Sequence, residues 1–208
     1  MKRTMNWASV FIMAATLLSA QPAWAADSAA AMEAYKVVLQ NEATFYDIDD
    51  KKDYKLSELR DKSSDTLTIS GFTVVDMDGN GAPEVVLDAG SYNGVVVLHY
   101  EDGEVYGFST SYTYYLSNDG IYNGSLAAWA FSHCKVTSIT KESYKVETLA
   151  RVEADPFKED DEPFYYIGES KVTEDEHAAF VESLQESRQE NEAVWHDFND
   201  ENIASVLN

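Results

Sequence analysis

Basic residues are scarce in this chain. Its 208 residues carry 15 Lys and Arg against 37 Asp and Glu, a formal net charge of −22. Nucleic acid and anionic membrane surfaces are bound by Lys and Arg that neutralise phosphate, so this balance excludes nucleic acid as a partner and favours cations. Cysteine is nearly absent: Cys134 stands alone and forms no intrachain disulfide, which leaves the core, with help from a metal, to stabilise the fold. Long apolar runs are missing as well. The stretch from Ala8 to Ala20 is too short to span a bilayer as a helix, so no integral membrane segment is expected once the N-terminus is removed. No period of about 20 to 50 residues repeats, which excludes a full propeller or solenoid. Also absent are a Gly-x-Ser-x-Gly elbow, a His-Glu-x-x-His pair and a phosphate-binding glycine loop. His99, His133, His177 and His196 show no metal-ligand spacing. His133 and Cys134 are neighbours in a strand, whose side chains point to opposite faces, so they make a poor nucleophile–base pair.

What is present begins with an address. Lys2 and Arg3 precede the apolar run Val10–Leu18, and Ala23-Trp24-Ala25 forms a small-x-small cleavage site. Residues 1–25 are therefore expected to be a signal peptide, and residues 26–208 a single secreted or periplasmic bacterial domain.

Periodicity then divides the chain. Residues 28–43 place Met32, Tyr35, Val38 and Leu39 at helical spacing. Residues 44–46 are extended, and residues 51–65 read as a polar loop with one helical turn near 57–60. From Leu67 to Val152, short β-branched and aromatic runs recur every 8 to 12 residues, separated by glycine turns such as Asp102-Gly103 and Asn118-Asp119-Gly120. A capping box, Thr173 with Glu176, opens a helix to about Glu190, and Asn199 caps a last short helix. The fold class expected is α+β: an antiparallel β-meander flanked by an N-terminal helix and C-terminal helices.

The meander is built around one loop. Between Val74-Val75 and Val85-Val86-Leu87, the residues Asp76, Asp78, Asn80 and Glu84 occupy loop positions 1, 3, 5 and 9, with Gly81 at position 6 and the Ala82 carbonyl at position 7. Calcium takes six to eight oxygen ligands, and this alternation aims successive oxygens at one centre. Asp78-Gly79 and Asn80-Gly81 are also strong tight-turn pairs that need no metal. Against a bare turn, four oxygen-bearing side chains at alternating positions would repel one another.

The Asp76–Glu84 spacing resembles the calcium loops of integrin-type (FG-GAP) repeats, with Glu84 in place of the more usual Asp. The resemblance implies Asp76, Asp78, Asn80 and Glu84 as side-chain ligands. An EF-hand instead requires a bidentate Glu at position 12, where Leu87 stands. The order of segments, from Ala-Tyr-Lys-Val-Val-Leu through this loop to Trp195-x-x-Phe198, resembles a group of secreted or lipoprotein bacterial proteins without assigned activity.

Tyr112 and Tyr114 share a strand face and, with Trp129, form a candidate stacking platform for a cell-surface glycan or a protein; aromatics at such positions also serve simply as sheet packing. The function expected is a non-enzymatic binding module with one calcium-stabilised hairpin. The alternatives are a glycan-directed hydrolase using carboxylates, or a structural or inhibitory partner protein.

Overall fold

The computed structural model describes residues 23–61, 65–90, 93–110, 113, 115–127, 130–153 and 162–208. Residues 1–22, Tyr112, Tyr114, Trp129 and the acidic run 159–161 lie outside them. In chain order the elements are α1 (Ala23–Leu39), β1 (Phe45–Asp47), β2 (Lys52–Tyr54), a single 3-10 turn (Leu56–Glu58), β3 (Gly71–Val75), β4 (Glu84–Asp88) and β5 (Val95–Glu101). There follow β6 (Glu104–Thr110), β7 (Tyr115–Leu116), β8 (Ile121–Ala127), β9 (Ala130–Ile139) and β10 (Tyr144–Glu153). The chain closes with β11 (Phe164–Ile167), β12 (Ser170–Val172), α2 (Glu174–Glu190), β13 (His196–Asp197) and α3 (Asp200–Val206).

The fold is α+β, and its strands divide into two sheets. The first runs β13-β3-β4-β5-β6-β1-β2 and the second β12-β11-β10-β9-β8-β7. All pairings of named strands are antiparallel except β1 with β6, which run parallel through Tyr46–Tyr106 and Asp47–Gly107.

The first sheet is the middle layer, and its strand alternation divides the core in two. Val85 and Leu87 on β4, with Val96 and Leu98 on β5, pack toward Tyr35 and Val38 of α1 and Ile203 of α3. The intervening Val86, Val95 and Val97 pack toward Tyr122, Cys134 and Val136 of the second sheet. Successive strand side chains face opposite ways, so a strand covered on both faces reads as an unbroken apolar run. Phe108 on β6 and Tyr144 on β10 stack across the sheets, ring centroids 3.8 Å apart and planes within 9°. Cys134 is a buried free thiol 3.4 Å from Ser132 Oγ, part of this second core.

Local signals govern the element ends. α1 stops at Leu39, short of residue 43, because Asn41 adopts a left-handed φ of 61°. The Asn41 amide then donates to the Val38 carbonyl and the Glu42 amide to the Val37 carbonyl, both at 2.9 Å, the paired bonds of a Schellman ending. The polar stretch 51–65 contains β2, because Lys51, also left-handed with φ 54°, turns the chain back on β1. Leu67–Ile69 is not a strand; Leu67 and Ile69 pack half-buried against the helix-side core. Asp102 and Gly103 have φ of 52° and 86° and close the β5–β6 hairpin as a tight turn does.

α2 starts at the capping box. Thr173 N donates to Glu176 Oε2 at 2.9 Å, and Glu176 N donates to Thr173 Oγ1 at 3.3 Å. The helix rests on β10 and β11 with His177 against Tyr165, ring centroids 5.3 Å apart. His177 is buried, its Nε2 has no hydrogen-bond partner, and burial pulls its ionisation below the usual 6.5. A depressed folded value means the unfolded chain takes up the proton first, so this contribution to stability is complete above 6.5 and is lost as pH falls through the folded value. Amide exchange in α2 is therefore expected to accelerate as pH drops from about 7 to about 5, after correction for intrinsic rates, and His177→Phe is expected to abolish that acceleration. An unchanged profile in the variant would place the acid sensitivity elsewhere.

Candidate metal site

The loop of residues 76–83 joins β3 to β4, and Glu84 is the first residue of β4, paired with Val75. Gly79 and Gly81 adopt φ of 75° and 88°, a region that L side chains rarely visit, which lets the backbone coil around the side-chain oxygens. Those oxygens cap the loop's own amides. Asp76 Oδ2 accepts from Gly81 N at 2.9 Å, Asp78 Oδ1 from Asn80 N at 3.2 Å, and Asn80 Oδ1 from Ala82 N at 2.6 Å.

Three of the expected ligands are brought together. Asp76, Asp78 and Glu84 each offer a carboxylate oxygen, all within 4.8 Å of one another, a group that could hold a metal ion. Asp76 Oδ1 is buried with no hydrogen-bond partner, which is costly for an ionised oxygen unless a cation or donor meets it. Asn80 is exposed on the loop's outer turn, and Ala82 is half-buried beside it.

Glu84 has no solvent exposure. Its Oε2 accepts from Met77 N at 2.6 Å, and its Oε1 lies 2.7 Å from Nδ1 of buried His99. Burial pushes its carboxyl above the usual range, while the bonds from His99 and Met77 act in the opposite direction. A divalent ion beside Glu84 would favour the ionised form and offset the burial.

The loop also ties the layers together. Asp78 Oδ2 accepts from Ile139 N of β9 at 3.2 Å, reaching from the first sheet to the second. Met77 is 1 % exposed in the inter-sheet core, and Gly120 of the β7–β8 turn lies directly against its carbonyl. On the opposite side, the Tyr35 hydroxyl of α1 donates to the Pro83 carbonyl at 3.1 Å. The Tyr35 phenol is held neutral, by burial first and by the nearby Glu84 charge second.

No local motif reports the contacts that His99, Ile139 and Gly120 make at this site, although Gly120 is legible as a turn glycine. His99 had a readable signal: the β4–β5 register pairs Val85 with Leu98, which sets the next residue, His99, beside Glu84. Ile139 had none, since a backbone amide 61 residues away leaves no mark in composition. The stacking candidates Tyr112, Tyr114 and Trp129 lie outside the described residues, so no platform is described for them.

The chain matches no family model, curated protein or solved structure in comparisons with each. Among the described residues no helix is long and apolar enough to cross a membrane.

Proposed function

We propose that this protein is an exported, non-enzymatic binding module whose β3–β4 loop is stabilised by one calcium ion. The observation that carries the reading is the grouping of Asp76, Asp78 and Glu84, one carboxylate oxygen of each within 4.8 Å of the others, in a loop where Asp76 also keeps a buried, unpartnered oxygen. Asn80 and the Ala82 carbonyl would complete an oxygen-only ligand set, which suits the six to eight flexible contacts of calcium better than the strict octahedron of magnesium. The site's hydrogen bonds to β9 and its neighbours on α1 make the ion a staple for three layers, a role that a chain with one cysteine cannot give to disulfides. The extracytoplasmic address rests on Lys2, Arg3, the apolar run and the Ala23-Trp24-Ala25 site. Calcium is plentiful there, so affinity on the order of 10⁻⁴ to 10⁻³ M suffices.

Calorimetry on the purified mature domain tests the proposal. Calcium is expected to titrate with a saturable heat at a stoichiometry of about one ion, and chelation is expected to lower the melting temperature. Asp76→Asn is expected to weaken calcium binding by about tenfold or more while the chain still folds, since the amide retains an acceptor for Gly81 N. No heat together with no shift on chelation would reject the metal.

A further inference from the structure

Three Asn-Gly pairs occur in the chain: Asn80-Gly81, Asn93-Gly94 and Asn123-Gly124. Such a pair carries a reaction of its own. The glycine amide nitrogen can attack the asparagine side-chain carbonyl carbon, because glycine puts no Cβ in the way and admits backbone angles that other residues avoid. The fold gives the three pairs different surroundings.

At Asn80-Gly81 the groups that the attack needs are together. The nucleophile, Gly81 N, donates to Asp76 Oδ2 at 2.9 Å, so a carboxylate stands within reach of the proton that must leave. The electrophile is polarised as well. Asn80 Oδ1 accepts from Ala82 N at 2.6 Å, which sets an amide donor on the oxygen where negative charge develops. Both Asn80 and Gly81 are exposed, so water reaches them. Beyond its chain neighbours, nothing lies within 4 Å of where a Gly81 Cβ would stand, which leaves room for a ring.

The other two pairs are held differently. Gly94 is buried, and its amide donates at 2.7 Å to the Gly90 carbonyl, a neutral acceptor that takes up no proton. Asn93 Nδ2 is tied to the Ala89 carbonyl at 3.2 Å. Asn123-Gly124 lies within β8, with Asn123 paired to Tyr115 on one side and His133 on the other, and Gly124 is buried. An extended ladder strand cannot fold its side chain back onto the next amide without giving up that pairing.

We propose that Asn80-Gly81 is a self-modification site, at which Asn80 is deamidated through a succinimide. Gly81 N bonds to Asn80 Cγ as its proton passes to Asp76 Oδ2. The Cγ–Nδ2 bond then breaks, and Nδ2 leaves as ammonia with that proton. Water opens the ring in one of two ways. Hydrolysis of the new Cγ–N bond gives aspartate, and hydrolysis of the original peptide bond to Gly81 gives isoaspartate, with the main chain rerouted through the side chain. The reaction consumes water, releases ammonia and oxidises nothing. At neutral pH either product adds a negative charge beside Asp76, Asp78 and Glu84. The chain thereby changes the charge of its own loop with time. The proposal stands on the loop's hydrogen bonds and does not require that the loop hold calcium.

The test is peptide mapping by mass spectrometry on mature domain aged at physiological temperature and neutral pH in chelator. The mass gain of amide-to-acid conversion is expected to accumulate at Asn80 about tenfold or more faster than at Asn93 or Asn123. In denaturant the three rates are expected to converge, since only the shared dipeptide then acts. Asp76→Asn is expected to slow conversion of Asn80 by about tenfold or more and to leave Asn93 unchanged, because its amide oxygen still accepts from Gly81 N but takes up no proton. The native and denatured parent are compared without any variant, so the result holds whatever that substitution does to folding. Equal native rates at the three pairs, a faster rate at Asn93 or Asn123, or a parental rate in folded Asp76→Asn would each overturn the site. Calorimetry on the unaged domain keeps the metal reading separate. Deamidation without any calcium heat would sink the metal alone, and calcium heat without deamidation would sink this proposal alone.

Discussion

Glu84→Ala is expected to lower the melting temperature by roughly 6–20 °C in calcium-free buffer, the equivalent of about 3–5 kcal/mol. The side chain has no solvent exposure, and both of its oxygens are engaged, one by His99 Nδ1 and one by Met77 N. Truncation leaves two buried partners without an acceptor, and removing one member of a buried pair costs far more than never having built it. It also opens a void at the end of β4, between residues that are themselves fully covered. Measuring without calcium isolates this contribution from lost metal affinity. Glu84→Gln separates the two further. The amide oxygen still accepts from Met77 N, so most of the folding stability returns, while the missing charge weakens calcium by about tenfold or more. A Glu84→Ala melt within about 2 °C of the parent would show that the buried linkage does not hold this corner of the fold.

The contrast between Glu84 and its partners shows what the chain makes legible. The loop itself was readable because its side-chain alternation and its two positive-φ glycines are local properties. So were the Thr173–Glu176 box, the Asn199 cap, whose side chain accepts from Asn202 N at 2.9 Å, and the Asp102-Gly103 hairpin. Each is decided within four residues. The α1 ending was misplaced because Glu42 and Ala43 sustain helical propensity, whereas Asn41 tolerates the left-handed turn that ends it. The division into two sheets was not legible, because period-2 alternation reports that a strand is buried and not which strand covers it. The parallel β1–β6 contact joins Tyr46 to Tyr106, and the Asp78–Ile139 bond spans 61 residues; both are set by tertiary closure. The site's oxygens were therefore visible in sequence, and the walls that bury them were not.

Those walls make the second large prediction. Gly120→Ala, at a residue that contributes no ligand, is expected to destabilise the protein by about 2–5 kcal/mol and to weaken calcium binding with every ligand intact. Two costs coincide at this position. The backbone has φ of +75°, which an alanine rarely adopts, and an added Cβ would sit 2.0 Å from the Met77 carbonyl oxygen and 2.8 Å from its Cα. The obstacle is backbone rather than a flexible side-chain tip, so either the β7–β8 turn or the metal loop must move. Met77 carries the amide that holds Glu84 Oε2, and the next residue, Asp78, holds Ile139 N, so displacement reaches two proposed ligands at once. Gly168→Ala is the control. Its φ of +55° carries a comparable dihedral penalty, but nothing lies within 4 Å of the new Cβ, and β11–β12 is remote from the loop. That variant is expected to cost about 1 kcal/mol and to leave calcium affinity unchanged. Melting curves and calcium calorimetry on both variants decide the matter. If the two lose equal stability and both keep parental calcium affinity, the Gly120–Met77 contact does not position the site. If only Gly120→Ala loses both, the second sheet is part of the metal site's framework, and the ion's stability and the closure of the two sheets are one property.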